Sequence, residues 1–217
     1  MNTLLIDVDG TLVDSFPGIR ASFIYALEQA DWPIPSEERI SQIAGPPMID
    51  TLLSLGMEPG LAYMTLAHYL DHYGHTGWKM SSPFAGMHEF LSWAKDHGYR
   101  LCTATSKGEY FAEQALRHHG FWDFFDFMGA AQEDGERKSK AAVIAHVLDS
   151  MQLRGQEQAI LMVGDRIHDI DGAREFGIGT VAVAWGYGTE SERTQAAFEA
   201  ASPAQLESIV DEWSHSH

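Results

Sequence analysis

The chain has 217 residues, 45% of them hydrophobic, and its 31 acidic side chains against 14 basic ones give a formal charge of −17. That length and apolar content suit one large domain, or a core domain with a smaller appendage, and exclude a compositionally disordered chain. The acidic balance argues against nucleic acid and anionic membrane as partners, since both call for a basic face.

Thr3-Leu4-Leu5-Ile6 is a short apolar run that ends at Asp7 and predicts a central strand. Asp9-Gly10-Thr11 turns the chain, with Gly10 permitting a tight backbone path. A helix is predicted over 17–30, opened by Pro17, with Ile19, Phe23, Ala26 and Leu27 on one face. Further helices are predicted over 36–79, broken at Gly45-Pro46-Pro47 and at Glu58-Pro59-Gly60. Leu52, Leu53 and Leu55 form one expected apolar patch there, and 61–73 carries another. No strand pattern interrupts this stretch, so 15–80 is expected to be a helical insertion after the first strand. Gly45-Pro46-Pro47 is stiff, because each proline fixes its own φ and restricts the residue before it. It is expected to form a rigid lip over a substrate, or a plain helix–helix turn.

After residue 80, strands and helices alternate. A helix over 83–97 ends at Gly98, a strand follows over 99–104, and Thr105 and Ser106 stand at its C-terminal end. Cys102 is the single cysteine, which excludes an internal disulfide and a cysteine metal site. Helix 108–119, strand 127–130, helix 139–151 and strand 158–163 come next. Gly164-Asp165, a helix over 169–176, a strand over 179–184, the loop Trp185-Gly186-Tyr187-Gly188 and a last helix over 203–213 complete the pattern. This predicts an α/β core with a mainly parallel, Rossmann-like sheet, and ligands bind at the C-terminal strand ends of such sheets. The expected division is 1–14 with 81–217 as core and 15–80 as cap. No apolar run approaches the ~18 residues of a membrane span. No targeting core precedes Asp7, so the expected location is the cytoplasm.

The chemistry concentrates at those strand ends. In Asp7-Val8-Asp9-Gly10-Thr11-Leu12-Val13-Asp14-Ser15 a strand, a turn and an acid pair coincide. Alone, two such aspartates would merely accept loop N–H groups. Together they can supply a carboxylate nucleophile and a group that protonates the leaving oxygen and then deprotonates water. Mg²⁺, which prefers oxygen ligands, would neutralise the phosphoryl oxygens. Asp165 and Asp169 form a second acidic pair, and a spacing of four on one helical turn would place them on one side. The plainer alternative is helix capping by Asp169 and a surface ion pair for Arg166. Thr105 and Ser106 offer hydroxyls to a phosphoryl oxygen, or cap the next helix. Lys140 begins a helix, where the dipole gives a cation nothing, so an anion facing it would explain it; Lys138 competes for the same role. His168, the pairs His118-His119 and His215/His217, and the tryptophans are expected to be structural or solvated.

Four blocks resemble the motifs of the haloacid dehalogenase superfamily: 7–15, Thr105, Lys140, and Gly164-Asp165-Arg166-Ile167-His168-Asp169. The resemblance implies that Asp7 is the nucleophile and Asp9 the acid/base. It implies that Asp7, Asp9 (through its carbonyl) and Asp165 hold Mg²⁺, and that Thr105, Ser106 and Lys140 bind the phosphoryl group. Asp169, Gly10, Thr11 and Gly164 would support them. An acid at both Asp7 and Asp9 is the phosphatase form, not the dehalogenase form. Within the superfamily, Pro17-Gly18-Ile19, Gly45-Pro46-Pro47, Thr105-Ser106-Lys107, Asp134-Gly135-Glu136-Arg137 and Trp185-Gly186-Tyr187-Gly188 resemble the phosphoglycolate phosphatase-like, 5'-nucleotidase-like branch with a helical cap. Leu70 departs from it where relatives carry an arginine, and Ala130-Ala131 where they are more polar. The resemblance implies a small phosphorylated metabolite, such as phosphoglycolate or a nucleoside monophosphate, and a monomer or homodimer. Pyrophosphate hydrolysis, a phosphomutase, or a non-catalytic interaction protein on the same fold are the alternatives.

Overall fold

The computed structural model describes residues 1–132 and 135–215; of the positions singled out above, Asp134 and His217 lie outside the described residues. The chain forms two compact units, one of 1–13 with 83–217 and one of 14–82.

The larger unit is built on a six-stranded sheet in the order β5-β4-β1-β6-β7-β8, parallel at every pairing. Its strands are β1 (Thr3–Ile6), β4 (Arg100–Gly108), β5 (Phe127–Ala131), β6 (Ile160–Gly164), β7 (Gly179–Val183) and β8 (Phe198–Ala200). β1 is central and buried along its whole length, which is why it reads as an unbroken apolar run rather than an alternating one. Period-two alternation still decides which layer each side chain joins. Leu4, Ile6, Leu101, Leu161, Val163 and Val181 pack on one face, with α5 (Met87–Asp96) and α10 (Pro203–His215). Leu5, Cys102 and Met162 face the other, against Val143, Ile144, Val147 and Leu148 of α7 (Lys140–Ser150) and Ala173 of α8 (Ile167–Arg174). Burial pushes the Cys102 thiol up to about 12, so it stays protonated and inert.

The chain runs from β1 outward to β4 and β5, then returns through α7 to the other side of β1. The C-terminal ends of β1, β4 and β6 therefore meet at the point where strand order reverses, the position where open α/β sheets bind ligands. Three details differ from the sequence-based expectation. β4 extends four residues past Ala104 and takes Thr105 and Ser106 into the strand. The helix expected from residue 83 starts at Met87, behind Gly86 in the left-handed region at φ 86°. β8 was not expected at all.

The smaller unit contains α1 (Phe16–Gln29), α2 (Glu37–Ile40), α3 (Met48–Ser54) and α4 (Pro59–His75), followed by a 3₁₀ turn. Two two-residue strands, β2 (Val13–Asp14) and β3 (Ser82–Pro83), mark where the chain leaves the larger unit and returns. α1 buries Ile19, Phe23, Ala26 and Leu27 as its spacing predicts. It approaches the 3₁₀ turn so closely that a Cβ on Gly18 would overlap the Gly77 carbonyl. Ser22 Oγ and His72 Nδ1 share a hydrogen bond of 2.9 Å between α1 and α4. Of the expected leucine patch, only Leu52 is buried; Leu53 is 38% exposed, because consecutive helical positions cannot share one face. Pro47 leads directly into α3. No helix among the described residues is long and apolar enough to cross a membrane.

Candidate active site

Asp7 follows the last residue of β1, and its backbone N–H donates to Val163 O at 2.9 Å, which continues the β1–β6 ladder one residue past the strand. The carboxylate is thus set at the C-terminal end of the fully buried central strand. Gly10, at φ 85°, then folds the turn back so that its N–H donates to Val13 O.

Asp165 and Asp169 converge on the same point from β6. They do not share a helical turn, as their spacing had suggested. Asp165 precedes α8, and Asp169 lies in its first turn, where Oδ2 accepts the backbone N–H groups of Asp165 at 3.1 Å and Arg166 at 3.0 Å. Capping and site-building are therefore one arrangement: Oδ2 satisfies the helix start and leaves Oδ1 to face Lys140. Gly164 is needed here, because a Cβ would overlap the Asp169 carboxyl. Arg166 is not a surface ion-pair partner but a half-buried one, bonded to Glu192 at 3.1 Å with both side chains 15% exposed.

Asp7, Asp165 and Asp169 are all buried, and each offers one carboxylate oxygen within 4.8 Å of the others. Lys140 enters from the start of α7. Its Nζ lies 2.9 Å from Asp7 Oδ1 and 2.7 Å from Asp169 Oδ1, and donates to Ala104 O at 2.7 Å. Lys138 is exposed, and of the two lysines it is Lys140 that faces these carboxylates. Thr105, buried, lies beside the Asp7 carboxylate, whose charged form its hydroxyl favours, and accepts from the Lys107 backbone N–H at 3.2 Å. Neither Thr105 nor Ser106 caps α6 (Glu109–His118), which is preceded by Gly108 without a side-chain cap. Ser106 makes no hydrogen bond to the carboxylates among the described residues.

Asp165 is held from two sides, by the loop after β7, outside the four motif blocks, and by Thr11 of the first block. Tyr187 N–H donates to its Oδ2 at 2.7 Å, and the Thr11 hydroxyl lies 3.5 Å from its Oδ1. A Cβ on Gly186 would overlap both Asp165 and the Gly10 carbonyl, and a Cβ on Gly10 would overlap the Asp165 carboxylate. Trp185 Nε1 donates to Thr11 O at 3.1 Å and locks the loop after β7 onto the loop after β1. The sequence marks 185–188 as a loop that resembles the helical-cap branch, without a role for it; its dense glycine content was the available signal.

Asp9 stands apart from the three carboxylates. Its side chain is gripped by Lys107, whose Nζ lies 3.1 Å from Oδ1 and 2.9 Å from Oδ2. Lys107 carries no role in the motif-based expectation, and only its position beside Thr105 hinted at one.

The electrostatics of the cluster suit a bound cation. Three buried carboxylates share one ammonium. Burial pushes the Asp7 carboxyl up to about 6 in spite of Lys140, with Asp169 adding to the rise. Burial, then Asp169 and Asp7, push Asp165 well above the usual carboxylate range. Lys140 is held strongly protonated: burial opposes its charge, and Asp169 and Asp7 outweigh burial. An all-oxygen set of buried acids, kept open by Gly10 and Gly186, suits a hard divalent cation such as Mg²⁺. With no His or Cys in the set, it does not suit a structural zinc.

The chain is similar to several known proteins. The chain is 43% identical over 185 residues to the tyrosine-protein kinase PtkA of Mycobacterium tuberculosis, a match over 85% of this chain and 62% of that protein, so it spans less than two thirds of that relative. It is 34% identical over 190 residues to a 5'-nucleotidase of Pseudomonas aeruginosa, covering 87% of this chain and 85% of the relative. The crystal structure of a predicted phosphatase from Clostridium acetobutylicum superposes with a TM-score of 0.91 at 28% identity, covering 97% of this chain and 98% of that one. Residues 4–183 match the model of the haloacid dehalogenase-like hydrolases, and the chain belongs to that family.

Proposed function

We propose that this protein is a Mg²⁺-dependent phosphatase that hydrolyses a small phosphomonoester through a phosphoryl group carried on Asp7. The observation that carries the proposal is the setting of Asp7: a buried carboxylate at the C-terminal edge of the sheet, paired with the Lys140 ammonium at 2.9 Å and with the Thr105 hydroxyl beside it. Those are the groups an incoming phosphoryl oxygen needs, and they converge on the atom that would attack it.

In the first step an Asp7 oxygen attacks phosphorus, the bond from phosphorus to the ester oxygen breaks, and Asp9 gives its proton to that leaving oxygen. In the second, Asp9 takes a proton from water, the water oxygen attacks phosphorus, and the Asp7 oxygen leaves, releasing inorganic phosphate. Lys140 and Thr105 hold the phosphoryl oxygens throughout, with Ser106 beside them on β4. Asp7, Asp165 and the Asp9 carbonyl would hold the cation, with Asp169 supporting them, and the cation supplies neutralisation of charge on the phosphoryl oxygens.

The resemblance to 5'-nucleotidase-like and phosphoglycolate phosphatase-like proteins supports a nucleoside monophosphate or phosphoglycolate as substrate. A panel of phosphate esters assayed with Mg²⁺ and with EDTA tests this, and mass spectrometry of quenched protein identifies the phosphorylated residue. Phosphate on a residue other than Asp7, or full turnover in EDTA, would sink the proposal. The name of the 43% identical relative favours a second reading, in which the phosphoryl group passes from Asp7 to an acceptor hydroxyl instead of water. Inorganic phosphate released in step with substrate consumed decides for hydrolysis. A shortfall matched by phosphorylated acceptor decides for transfer.

A further inference from the structure

We infer that Lys107 is a positioning residue that fixes the carboxylate of Asp9, and that an irregularity in β4 exists to aim it there. The inference rests on the assignment of Asp9 as the acid/base above. β4 pairs regularly with β5 up to Thr105 opposite Ala130, but the next pair is Gly108 opposite Ala131. Ser106 and Lys107 are therefore extra residues on β4, and a bulge of this kind bends the strand and redirects a side chain. The redirected side chain is Lys107. Its Nζ reaches both oxygens of Asp9, at 3.1 and 2.9 Å, across 98 residues of sequence. The Lys107 side chain is only 6% exposed, whereas Asp9 is 20% exposed. The fixed, buried end of the pair is thus the lysine, and the end left accessible is the carboxylate.

The bulge is tied to the phosphoryl site as well. The Lys107 backbone N–H donates to the hydroxyl of Thr105, which stands beside Asp7. One segment of three residues therefore sets a ligand for the phosphoryl group and the orientation of the acid/base. Asp9 needs such a clamp, because the hydrogen-bonded turn at Gly10 fixes its backbone but not the rotation of its side chain. A carboxylate free to rotate would spend little time aligned with the leaving oxygen, and misplacement on the scale of an ångström lowers rate sharply.

The test compares wild type, K107M, K107R and D9N on two substrates, p-nitrophenyl phosphate and an alkyl phosphate. The first leaving group needs little protonation and the second needs much. For K107M we expect the single-turnover rate of Asp7 phosphorylation by the alkyl ester to fall by roughly 10- to 100-fold, part of the ~10²–10⁴-fold that a positioned acid contributes, with phosphorylation by the aryl ester changed by less than about 3-fold; the second step, in which Asp9 is the base, is common to both esters and slows equally for both. K107R should recover most of the alkyl rate, since it restores the cation. Equal losses of K107M in phosphorylation by the two esters, or a rise in rate showing that the pair restrains Asp9 unproductively, would overturn the inference. If K107M does not fold, K107Q, which also removes the charge, carries the test: a loss in phosphorylation by the alkyl ester alone supports the clamp, and uniform loss or none refutes it. D9N separates this from the underlying assignment: if D9N does not itself discriminate between the two esters in the first step, the role of Asp9 has failed, not the clamp alone.

Discussion

Lys140 and Asp169 meet between the first turns of α7 and α8 at 2.7 Å, with 4% and 1% of their side chains exposed. α8 can approach α7 this closely because Gly172 faces the lysine; a Cβ there would lie 2.8 Å from Lys140 Cγ. Removing the lysine leaves Asp7, Asp165 and Asp169 buried together without a protein cation. The K140M variant should therefore lose about 3–5 kcal/mol of stability in metal-free buffer, the cost of stripping one partner from a buried ion pair. Urea unfolding of wild type and variant in EDTA measures this. A loss below about 1 kcal/mol, the size of an exposed pair, would mean that the three carboxylates are not charged together in the folded protein.

Asp165 gives a complementary prediction. Replacing it with Asn keeps an acceptor for Tyr187 N–H and turns an NH2 group to the Thr11 hydroxyl, which can accept from it, while removing one of three clustered acids. In EDTA, D165N should be at least as stable as wild type. With Mg²⁺ the order reverses. A ligand at 100 times its Kd adds about 2.7 kcal/mol to the stability of a protein that binds it only when folded. Wild type should show that rise in thermal melting, and D165N should show little of it. An equal response of both proteins to Mg²⁺ would place the cation elsewhere.

These two groups show what the sequence made legible. The acid pair at 7–9 and the acids at 165 and 169 are visible because each sits where an apolar run stops, and the strand that positions them is local to the motif. The choice of Lys140 over Lys138 was not visible, since it depends on where α7 starts and on which lysine the sheet covers. The clamp of Asp9 by Lys107 and the wall of Gly186 behind Asp165 join segments far apart in the chain, and no local pattern encodes such a meeting. β8 escaped notice for another reason. It has three residues, and Phe198 is 39% exposed, so it lacks the apolar alternation that announces a strand. The geometry of 165–169 was misassigned because a spacing of four fits a helical turn and also fits a loop that folds back to cap its own helix.

His119 gives the pH dependence of stability. Burial lowers its imidazole to about 4, with His118, His88 and Lys107 adding repulsion. His88 comes from α5, stacks on Phe121 at 4.2 Å, and its Nε2 shares a hydrogen bond with the His119 carbonyl. A histidine with a depressed folded-state pKa takes up its proton more readily when unfolded. Its contribution is fully present above the unfolded value of 6.5 and is lost progressively as pH falls towards about 4. The H119Q variant should lose less of its stability over that interval than wild type, read as the shift in urea midpoint between pH 6.5 and pH 4.5. Parallel shifts in the two proteins would show that His119 titrates normally in the fold.

Gly186 is the sharpest steric prediction. It follows β7 in a loop, outside the left-handed region, so backbone strain plays no part and any cost of a side chain is one of space. A methyl group there meets the Asp165 side chain on one side and the Gly10 carbonyl on the other, and both are fixed. Asp165 cannot retreat, because Tyr187 N–H holds its Oδ2 and Thr11 lies against its Oδ1. Gly10 cannot retreat without breaking the turn that sets Asp7 and Asp9, which its N–H closes on Val13. The G186A variant should therefore lose about 1–3 kcal/mol, the usual cost of overpacking, and should also lose stabilisation by Mg²⁺ because Asp165 is the residue displaced. Gly60 supplies the control. It lies in the first turn of α4 with open space around the position a Cβ would take, and its φ is not positive. G60A should gain roughly 0.4–1 kcal/mol, as expected where alanine fits and the unfolded chain loses freedom, with the Mg²⁺ response intact. If G186A instead behaves like G60A, the loop after β7 yields more readily than its contacts allow, and the wall behind Asp165 has no part in holding the site.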